Sequence, residues 1–252
     1  MVMNQLLESN RKSWDKVAHY FNGVDALPSY GPFSQTEDEL KLLDDLKNKK
    51  VLDIGFGSGH SLKYMAEVKQ AGELWGVDLS SEQKSAAEKT LQGLQPRLFC
   101  APMEQEIDLP KEYFDCVYSI YALGWTTDLK ATLKLIHSYL KEGGSFLFSW
   151  DHPLYAHIKS ENGIMTLESS YQQEGLHTFE KFKGEDAPMT IHTRKLATYI
   201  NELIQAGFTI EQVVESDAGA GFNDEEAPVS DRYYSLYKTR RFPSTLIIKA
   251  RK

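Results

Sequence analysis

Residues 51–60 read Val51-Leu52-Asp53-Ile54-Gly55-Phe56-Gly57-Ser58-Gly59-His60. A short apolar run ends on a carboxylate and breaks into three alternating glycines, a pattern typical of a parallel strand that turns into a helix whose N-terminus receives a ligand. Glycine has no Cβ, so such a turn can be tight and its backbone N–H groups can approach a ligand closely. The stretch therefore predicts a cofactor site.

The spacing of the glycines separates this turn from two other nucleotide-binding loops. A dinucleotide fingerprint requires its third glycine at position 60, where the chain has His60. A phosphate-binding loop requires Gly-Lys-Ser or Gly-Lys-Thr, which is absent here. Gly55, Gly57 and Gly59 instead form the pattern G-x-G-x-G, which disfavours a nucleotide-dependent oxidoreductase but leaves that class open.

A second apolar run, residues 74–80, carries an acid at Asp78 and follows a helix predicted for residues 61–68. An acid at the tip of the second strand of a strand–helix–strand unit is placed to accept both hydroxyl groups of a ribose, and Leu79 beside it can lie against a base. The alternative is that Asp78 only caps a helix that starts near Ser80. Together with the glycine turn, the pattern favours a nucleoside site.

With these residues the chain resembles the class I S-adenosylmethionine-dependent methyltransferases, in particular small, soluble bacterial enzymes that act on small molecules. The resemblance runs nearly end to end and includes residues 114–119 as the fourth strand, residues 140–146 leading into the fifth, and residues 203–208 before the sixth. It implies a doubly wound, Rossmann-like α/β sandwich with a seven-stranded, mostly parallel sheet. The last pair of strands, residues 208–215 and 244–250, would form an antiparallel edge.

The resemblance also implies a cofactor, S-adenosyl-L-methionine, and the residues that hold it. Gly55 and the neighbouring backbone would bind the methionine moiety, and Asp78 would bind the ribose. Leu79 and Met103 would lie on the two faces of the adenine. The remaining residues expected in the cofactor site are Asp53, Gly57, Gly59, Ser119 and Tyr20. One departure is Pro102, because the family often has an acid near this position that accepts the adenine amino group.

The composition is that of a globular protein with one full core. The chain has 252 residues, of which 41% are hydrophobic, enough for a single domain with an inserted cap. We expect a helical lid over residues 1–45 and a methyltransferase core over residues 46–252, with a substrate cap at about residues 151–191. The net charge of −8 has the wrong sign for binding phosphate backbones, so nucleic acid is disfavoured.

The expected lid contains apolar residues at helical spacing over residues 14–21. Such a stripe is typical of packing, so we interpret Trp14 and Phe21 as packing residues rather than ligand contacts. Tyr20 and Tyr30 are the better candidates to reach the pocket, because related methyltransferases close an N-terminal aromatic segment over the cofactor. We assign Tyr20 to the cofactor and Tyr30 to the substrate.

The segment after the fifth strand is expected to face the ligand crevice, because ligands in open α/β sheets bind beyond the C-terminal ends of the strands. His152 lies in this segment, and we interpret it as a general base or as a hydrogen-bond partner that orients the substrate. A purely structural histidine is the alternative. The alternation over residues 164–168 predicts a short strand in the cap. Tyr121, Trp125 and Tyr155 are candidates for the substrate wall.

The expected activity is methyl transfer from S-adenosyl-L-methionine to an oxygen, nitrogen or sulfur atom of a small metabolite. The histidines and acids show no metal-ligand spacing, and no segment has the length and hydropathy of a membrane span. We therefore expect a cytoplasmic monomer or homodimer with no metal, nucleic acid or membrane partner. Besides the oxidoreductase, a protein that binds the cofactor without transferring the methyl group, as a sensor or partner subunit, stays open.

Overall fold

The computed structural model describes residues 2–252, with side chains from residue 5 onward. The strands within these residues are β1 (Lys50–Ile54), β2 (Glu73–Asp78), β3 (Arg97–Cys100), β4 (Phe114–Ile120), β5 (Leu140–Asp151), β6 (Ile158–Glu161), β7 (Ile164–Leu167), β8 (Gly175–Phe179), β9 (Met189–Thr193), β10 (Thr209–Glu215) and β11 (Thr245–Arg251). Seven of them form one sheet in the order β10-β11-β5-β4-β1-β2-β3. Neighbouring strands are parallel, except that β11 is antiparallel to both β5 and β10. The predicted fold class and its antiparallel edge are confirmed.

Helices cover both faces of this sheet. The α-helices in the described part of the chain are α1 (Val2–Val17), α2 (Glu37–Leu40), α3 (His60–Glu67), α4 (Ser81–Thr90), α5 (Leu129–Tyr139), α6 (Leu196–Gln205) and α7 (Leu236–Thr239). Among residues 2–252, none of the helices combines the length and the apolar character that crossing a membrane would need.

Each face of the sheet packs against its own cluster of buried side chains. In β1, Val51 packs in one cluster with Leu62 of α3, while the next residue, Leu52, packs in a second cluster with Leu133 of α5. All four side chains are fully buried. A strand that is buried on both faces is apolar at successive positions, which explains the short apolar runs of the sequence. Helices α3 and α4 therefore cover one face, and α5 and α6 the other.

Two antiparallel hairpins lie between β5 and α6, one of β6 with β7 and the other of β8 with β9. The strand predicted over residues 164–168 is confirmed as β7. Helix α1 lies against β9, where the amide of Asn10 exchanges two hydrogen bonds of 2.8 Å with the backbone of Thr190. Ser13 donates to the carbonyl oxygen of Pro188 at 2.7 Å. The N-terminal helix and the insertion thus form one layer above the C-terminal ends of the strands.

Glu37, at the start of α2, joins the N-terminal segment to the core. Its side chain is 1% exposed. The carboxylate accepts the hydroxyl of Tyr30 at 2.6 Å, the backbone N–H of Leu42 at 2.9 Å and the ammonium of Lys69 at 2.6 Å. A buried charge with this many donors is compensated only while every partner is present.

Replacing this carboxylate should destabilise the whole chain. In Glu37→Gln, Lys69 faces a neutral amide and one oxygen acceptor becomes a donor, so we expect the free energy of unfolding to fall by about 3 kcal/mol. Urea denaturation followed by fluorescence measures this change. Glu67→Gln is the control. Glu67 is exposed, and its ion pair with Lys63 is long at 3.9 Å, so the substitution should change the free energy of unfolding by less than about 0.5 kcal/mol. Equal losses in the two variants would contradict this role of Glu37.

Candidate functional site

The turn between β1 and α3 has a backbone conformation that glycine adopts most easily. Gly55, Gly57 and Gly59 have φ angles of 81°, 52° and 82°, all in the left-handed region. A Cβ at Gly55 would lie 2.2 Å from the Cβ of Ala122. A Cβ at Gly59 would lie 3.0 Å from that of Ala87. The turn therefore brings bare backbone to the C-terminal edge of the sheet.

Asp78, at the end of β2, faces this turn. Its Oδ2 accepts the N–H of Gly57 at 2.8 Å, and its Oδ1 accepts the N–H of Ser80 at 2.8 Å. Each carboxylate oxygen keeps a second lone pair, so Asp78 can still accept two ribose hydroxyl groups. Burial raises its pKa to about 6, although the two N–H donors act in the opposite direction. Ser80 itself caps α4 by accepting the N–H of Gln83, so the capping alternative for Asp78 is wrong.

Ser80 also connects this site to the N-terminal helix. Its hydroxyl donates to Oδ1 of Asp15, a residue of α1, at 2.7 Å. The same carboxylate oxygen accepts the N–H of Glu82 at 3.3 Å, so Asp15 lies at the N-terminus of α4. The charge of Asp15 contributes to the raised pKa of Asp78. Ser80, the residue directly before α4, therefore binds both Asp78 and a residue of α1.

A cavity of about 760 Å³ begins beside the turn and continues past the ends of β4 and β5. Leu79, Met103 and Asp78 line its first part together with Gly55, whereas Gly57 and Gly59 are not in its wall. Two apolar side chains, a carboxylate with free lone pairs and a stretch of bare backbone are what adenine, ribose and a methionine chain require. The residues present fit S-adenosyl-L-methionine.

Asp53 and Ser119 were assigned to the cofactor, but they lie beneath the turn rather than in the cavity wall. Asp53 is 1% exposed, and burial raises the pKa of its carboxyl well above the usual range. Ser119 is fully buried and donates its hydroxyl to the carbonyl oxygen of Ile54 at 2.7 Å. The Ser119 hydroxyl thus joins β4 to the end of β1, and the structure places neither Asp53 nor Ser119 where it could contact a ligand in the cavity.

The N-terminal segment reaches the cavity with other residues than those assigned from the sequence. Trp14 and Phe21 line the wall. Tyr20 is 41% exposed, lies outside the wall and donates to Glu185 at 3.3 Å. Tyr30 is fully buried, and its hydroxyl is already bound within the N-terminal segment. The assignments of Tyr20 to the cofactor and Tyr30 to the substrate are corrected: the helical stripe faces the cavity, and its neighbour Tyr20 faces away.

Aromatic side chains from separate parts of the chain enclose the far part of the cavity. We call this part the aromatic chamber, and its residues are Trp14, Phe21, Trp125, Trp150 and Phe182. The ring of Trp125 lies 5.0 Å from that of Trp14, 5.8 Å from that of Trp150 and 5.7 Å from that of Phe182, each edge to face. Such contacts fix the rings against one another, so the chamber has rigid apolar walls.

Of the three residues expected in the substrate wall, two lie there. Tyr121 and Trp125, just beyond the end of β4, line the cavity. Tyr155 is fully buried and outside the wall, and its hydroxyl donates to the carbonyl oxygen of Tyr233 at 3.0 Å. The assignment of Tyr155 is corrected, because this side chain supports the loop that carries Tyr233 instead of facing a ligand.

His152 lies in the cavity wall, but both of its ring nitrogens are engaged. Nδ1 accepts the backbone N–H of Leu154 at 3.2 Å, so Nε2 carries the proton and donates to Glu215 at 2.8 Å. Burial lowers the pKa of the ring, which is 4% exposed. His152 keeps no free lone pair for a substrate proton. The geometry supports the structural alternative and gives no support to a general base.

Asp151, the last residue of β5, was missed from the sequence. Its Oδ1 accepts the hydroxyl groups of Tyr121 at 2.9 Å and Tyr234 at 2.7 Å, and its Oδ2 accepts that of Tyr233 at 3.1 Å. All four side chains line the cavity. The one available signal was the position of an acid directly before His152 at a strand end. Nothing in the sequence linked it to the two tyrosines about eighty residues later.

Comparison with known proteins gives the same picture. The family described as "Methyltransferase domain" matches residues 52–148, the part of the chain that begins in β1 and ends in β5. An uncharacterised protein of Haemophilus influenzae is 32% identical over 230 residues, which cover 84% of this chain and 85% of that protein. A malonyl-[acyl-carrier protein] O-methyltransferase of Halalkalibacterium halodurans is 25% identical over 248 residues, covering 90% and 87% of the two chains.

A solved structure agrees with these sequence relatives. The crystal structure of an S-adenosylmethionine-dependent methyltransferase from Mesorhizobium loti superimposes with a TM-score of 0.69 at 26% identity, covering 84% of this chain and 95% of that chain. The glycine turn, the carboxylate at the end of β2 and the sheet order are thus found in a chain that matches a methyltransferase family and a protein and a solved structure named as methyltransferases. The chain belongs to the class I S-adenosylmethionine-dependent methyltransferases, enzymes that use S-adenosyl-L-methionine as their cofactor.

Proposed function

We propose that this enzyme transfers the methyl group to an oxygen, nitrogen or sulfur atom of a small molecule held in the aromatic chamber. The observation that carries the proposal is that one continuous cavity of about 760 Å³ runs from Asp78, Leu79 and Met103 to the aromatic chamber. S-adenosyl-L-methionine supplies a methyl group on a positively charged sulfur. The residues of this chain have to align an acceptor with that carbon and exclude water, and closely packed aromatic walls suit both tasks.

The size of the cavity and the net charge of the chain support a small acceptor. The cavity lies in the range of small-molecule pockets, and the net charge of −8 disfavours a nucleic acid substrate. The relative from Halalkalibacterium halodurans is named for O-methyl transfer to a malonyl group on a carrier protein. That name supports transfer to a metabolite-sized group and leaves the acceptor atom to experiment.

A two-step experiment tests the proposal. Calorimetry with S-adenosyl-L-homocysteine, the product, should first show binding at one site per chain. A coupled assay of homocysteine release then screens amines, phenols, carboxylates and thiols. Binding of the product without release from any class would contradict the proposed transfer and favour a sensor or partner subunit.

Loss of the Asp78 charge should weaken cofactor binding. Hydrogen bonds to a charged group contribute about 1.5–3 kcal/mol, so Asp78→Asn should raise the Kd for S-adenosyl-L-homocysteine by a factor of about 10 to 100. Calorimetry measures both values. Asp224→Asn is the matched control, because Asp224 is exposed and outside the cavity, and its Kd should equal that of the wild type.

The same carboxylate predicts a pH dependence. The pKa of Asp78 is raised to about 6, and a protonated carboxyl cannot accept two hydroxyl groups. The affinity of the wild type should therefore be constant above the pKa and fall as the pH decreases through about 6. Asp78→Asn should lack this step. A wild-type affinity that does not change between about pH 5 and pH 7 would rule out the ionised carboxylate as the ribose acceptor.

Replacement of His152 should leave the chemistry intact. Because its ring nitrogens bind Leu154 and Glu215, His152→Gln should keep kcat/KM within about three-fold, whereas loss of a general base costs about 10²–10⁴-fold. The measurement is homocysteine release with the acceptor found in the screen. Glu215→Gln alters the same contact from outside the cavity and should behave alike. A loss of a hundred-fold or more in His152→Gln alone would restore the general-base hypothesis.

A further inference from the structure

Asp25 is one of the carboxylates in the cavity wall, and the charge of Asp151 acts on it. Its side chain makes no hydrogen bond or ion pair with any other residue from 5 to 252. Asp151, by contrast, already accepts three tyrosine hydroxyl groups. Burial and the nearby charge of Asp151 raise the pKa of Asp25 to about 6. Asp151 keeps one acceptor position, on Oδ2, whereas neither oxygen of Asp25 has a partner among the described residues. Asp25 therefore has more capacity to bind a ligand than Asp151.

The backbone around Asp25 is fixed over the cofactor turn. Two residues before it, the N–H of Gly23 donates to Ser58 at 3.1 Å. Two residues after it, the N–H of Leu27 donates to Ser61 at 3.2 Å. Asp25 itself has a φ angle of 49°, in the left-handed region that aspartate adopts more readily than most residues other than glycine. The segment that carries Asp25 is thus held against the glycine turn, and the carboxylate lies near Asp151 at the C-terminal end of β5.

The walls near Asp25 attract positive charge. Aromatic faces bind ammonium groups at about 6 Å or less from the ring centre. The ammonium of Lys183 lies 5.1 Å from the ring centre of Phe21, and its charge also acts on Asp25. Lys183 is exposed at the mouth of the cavity. The ammonium of Lys183 therefore lies near both an aromatic face and the Asp25 carboxylate, the two contacts that we expect for the ammonium of a ligand.

The remaining charges of the wall disfavour an anionic acceptor. Besides five histidines, five acids but only one lysine and one arginine line the cavity: Asp25, Asp78, Glu104, Asp151, Glu174, Lys183 and Arg194. The guanidinium of Arg194 is occupied by the carbonyl oxygens of Gly124, Thr126 and His192. No free guanidinium among the described wall residues is left to bind a carboxylate group. A carboxylate acceptor would meet net repulsion in this chamber.

We propose that the methyl acceptor is a small primary or secondary amine that enters as an ammonium ion, and that Asp25 binds this group and takes its proton. This inference rests on the proposed function. The ammonium nitrogen gives one proton to the Asp25 carboxylate, and its freed electron pair forms the new N–C bond with the methyl carbon. The C–S bond breaks with its electron pair on sulfur, which leaves S-adenosyl-L-homocysteine. Asp25 then returns the proton to water.

The first test is binding to the full chain saturated with S-adenosyl-L-homocysteine. The probes are two isosteric sets that differ in one group: phenethylamine, 2-phenylethanol and 3-phenylpropanoate, and tryptamine, tryptophol and indole-3-propanoate. At least one amine should bind at least ten-fold more tightly than its matched alcohol and carboxylate. Asp25→Asn should remove this preference, while Asp224→Asn keeps it, and neither variant should change the Kd for S-adenosyl-L-homocysteine.

Three results would overturn the inference while leaving the methyltransferase function in place. The first is that an alcohol or a carboxylate binds as tightly as its matched amine. The second is that neither amine binds although S-adenosyl-L-homocysteine does. The third is that Asp25→Asn weakens the binding of S-adenosyl-L-homocysteine, which would assign Asp25 to the ammonium of the cofactor. Failure of the proposed function would instead leave homocysteine release absent for every class of acceptor.

The second test separates binding from proton transfer. With the amine that gives homocysteine release, Asp25→Asn should lower kcat by at least about a hundred-fold, the range expected for loss of a general base. If kcat is retained and only KM rises, Asp25 binds the ammonium without accepting its proton, and that part of the inference is overturned.

Discussion

The hydrogen bond between the N–H of Gly57 and the carboxylate of Asp78 is the contact on which the site depends. It joins the turn after β1 to the end of β2, and it forms only because the turn has positive φ angles that place the N–H beside the neighbouring strand. With Ser80 donating to its other oxygen, Asp78 is oriented before any ligand arrives. A carboxylate that is already in place costs less ordering free energy when a ribose binds.

Local sequence was enough to predict the glycine turn and the position of Asp78 at the end of a strand, because both follow from residues close together in the chain. The seven-stranded sheet and its antiparallel edge were expected from the resemblance to the methyltransferases. The chamber could not be predicted in this way. The helical periodicity identified the apolar stripe of α1 but not the surface that the stripe faces. Trp14 was therefore interpreted as a packing residue, although it lines the cavity. The residue type of His152 suggested chemistry, whereas its hydrogen bonds to the backbone of Leu154 and to Glu215 decide its role. Asp151 meets tyrosines from a distant loop, a contact that no spacing encodes.

The wall of the cavity comes from two parts of the chain: the ends of the sheet strands, which fit the cofactor, and the segments that surround the aromatic chamber. Trp14 and Phe21 come from the N-terminal segment, and Phe182 comes from the loop between β8 and β9. The backbone of β9 is held to α1 through the two hydrogen bonds of Asn10. Substitutions at Trp14, Phe21 or Phe182 can therefore alter the chamber, because none of these side chains takes part in the hydrogen bonds that Asp78 makes with Gly57 and Ser80.

Ser80 gives that division a thermodynamic consequence. Its backbone N–H binds Asp78 and its hydroxyl binds Asp15, so the docked position of α1 and any ligand held by Asp78 share one residue. Coupling between two sites is reciprocal: by whatever factor a bound nucleoside favours the docked helix, the docked helix favours the nucleoside by the same factor. An acceptor that packs against Trp14 and holds α1 in place would thereby slow the escape of the cofactor, and the two ligands would bind with positive cooperativity without touching the same side chain.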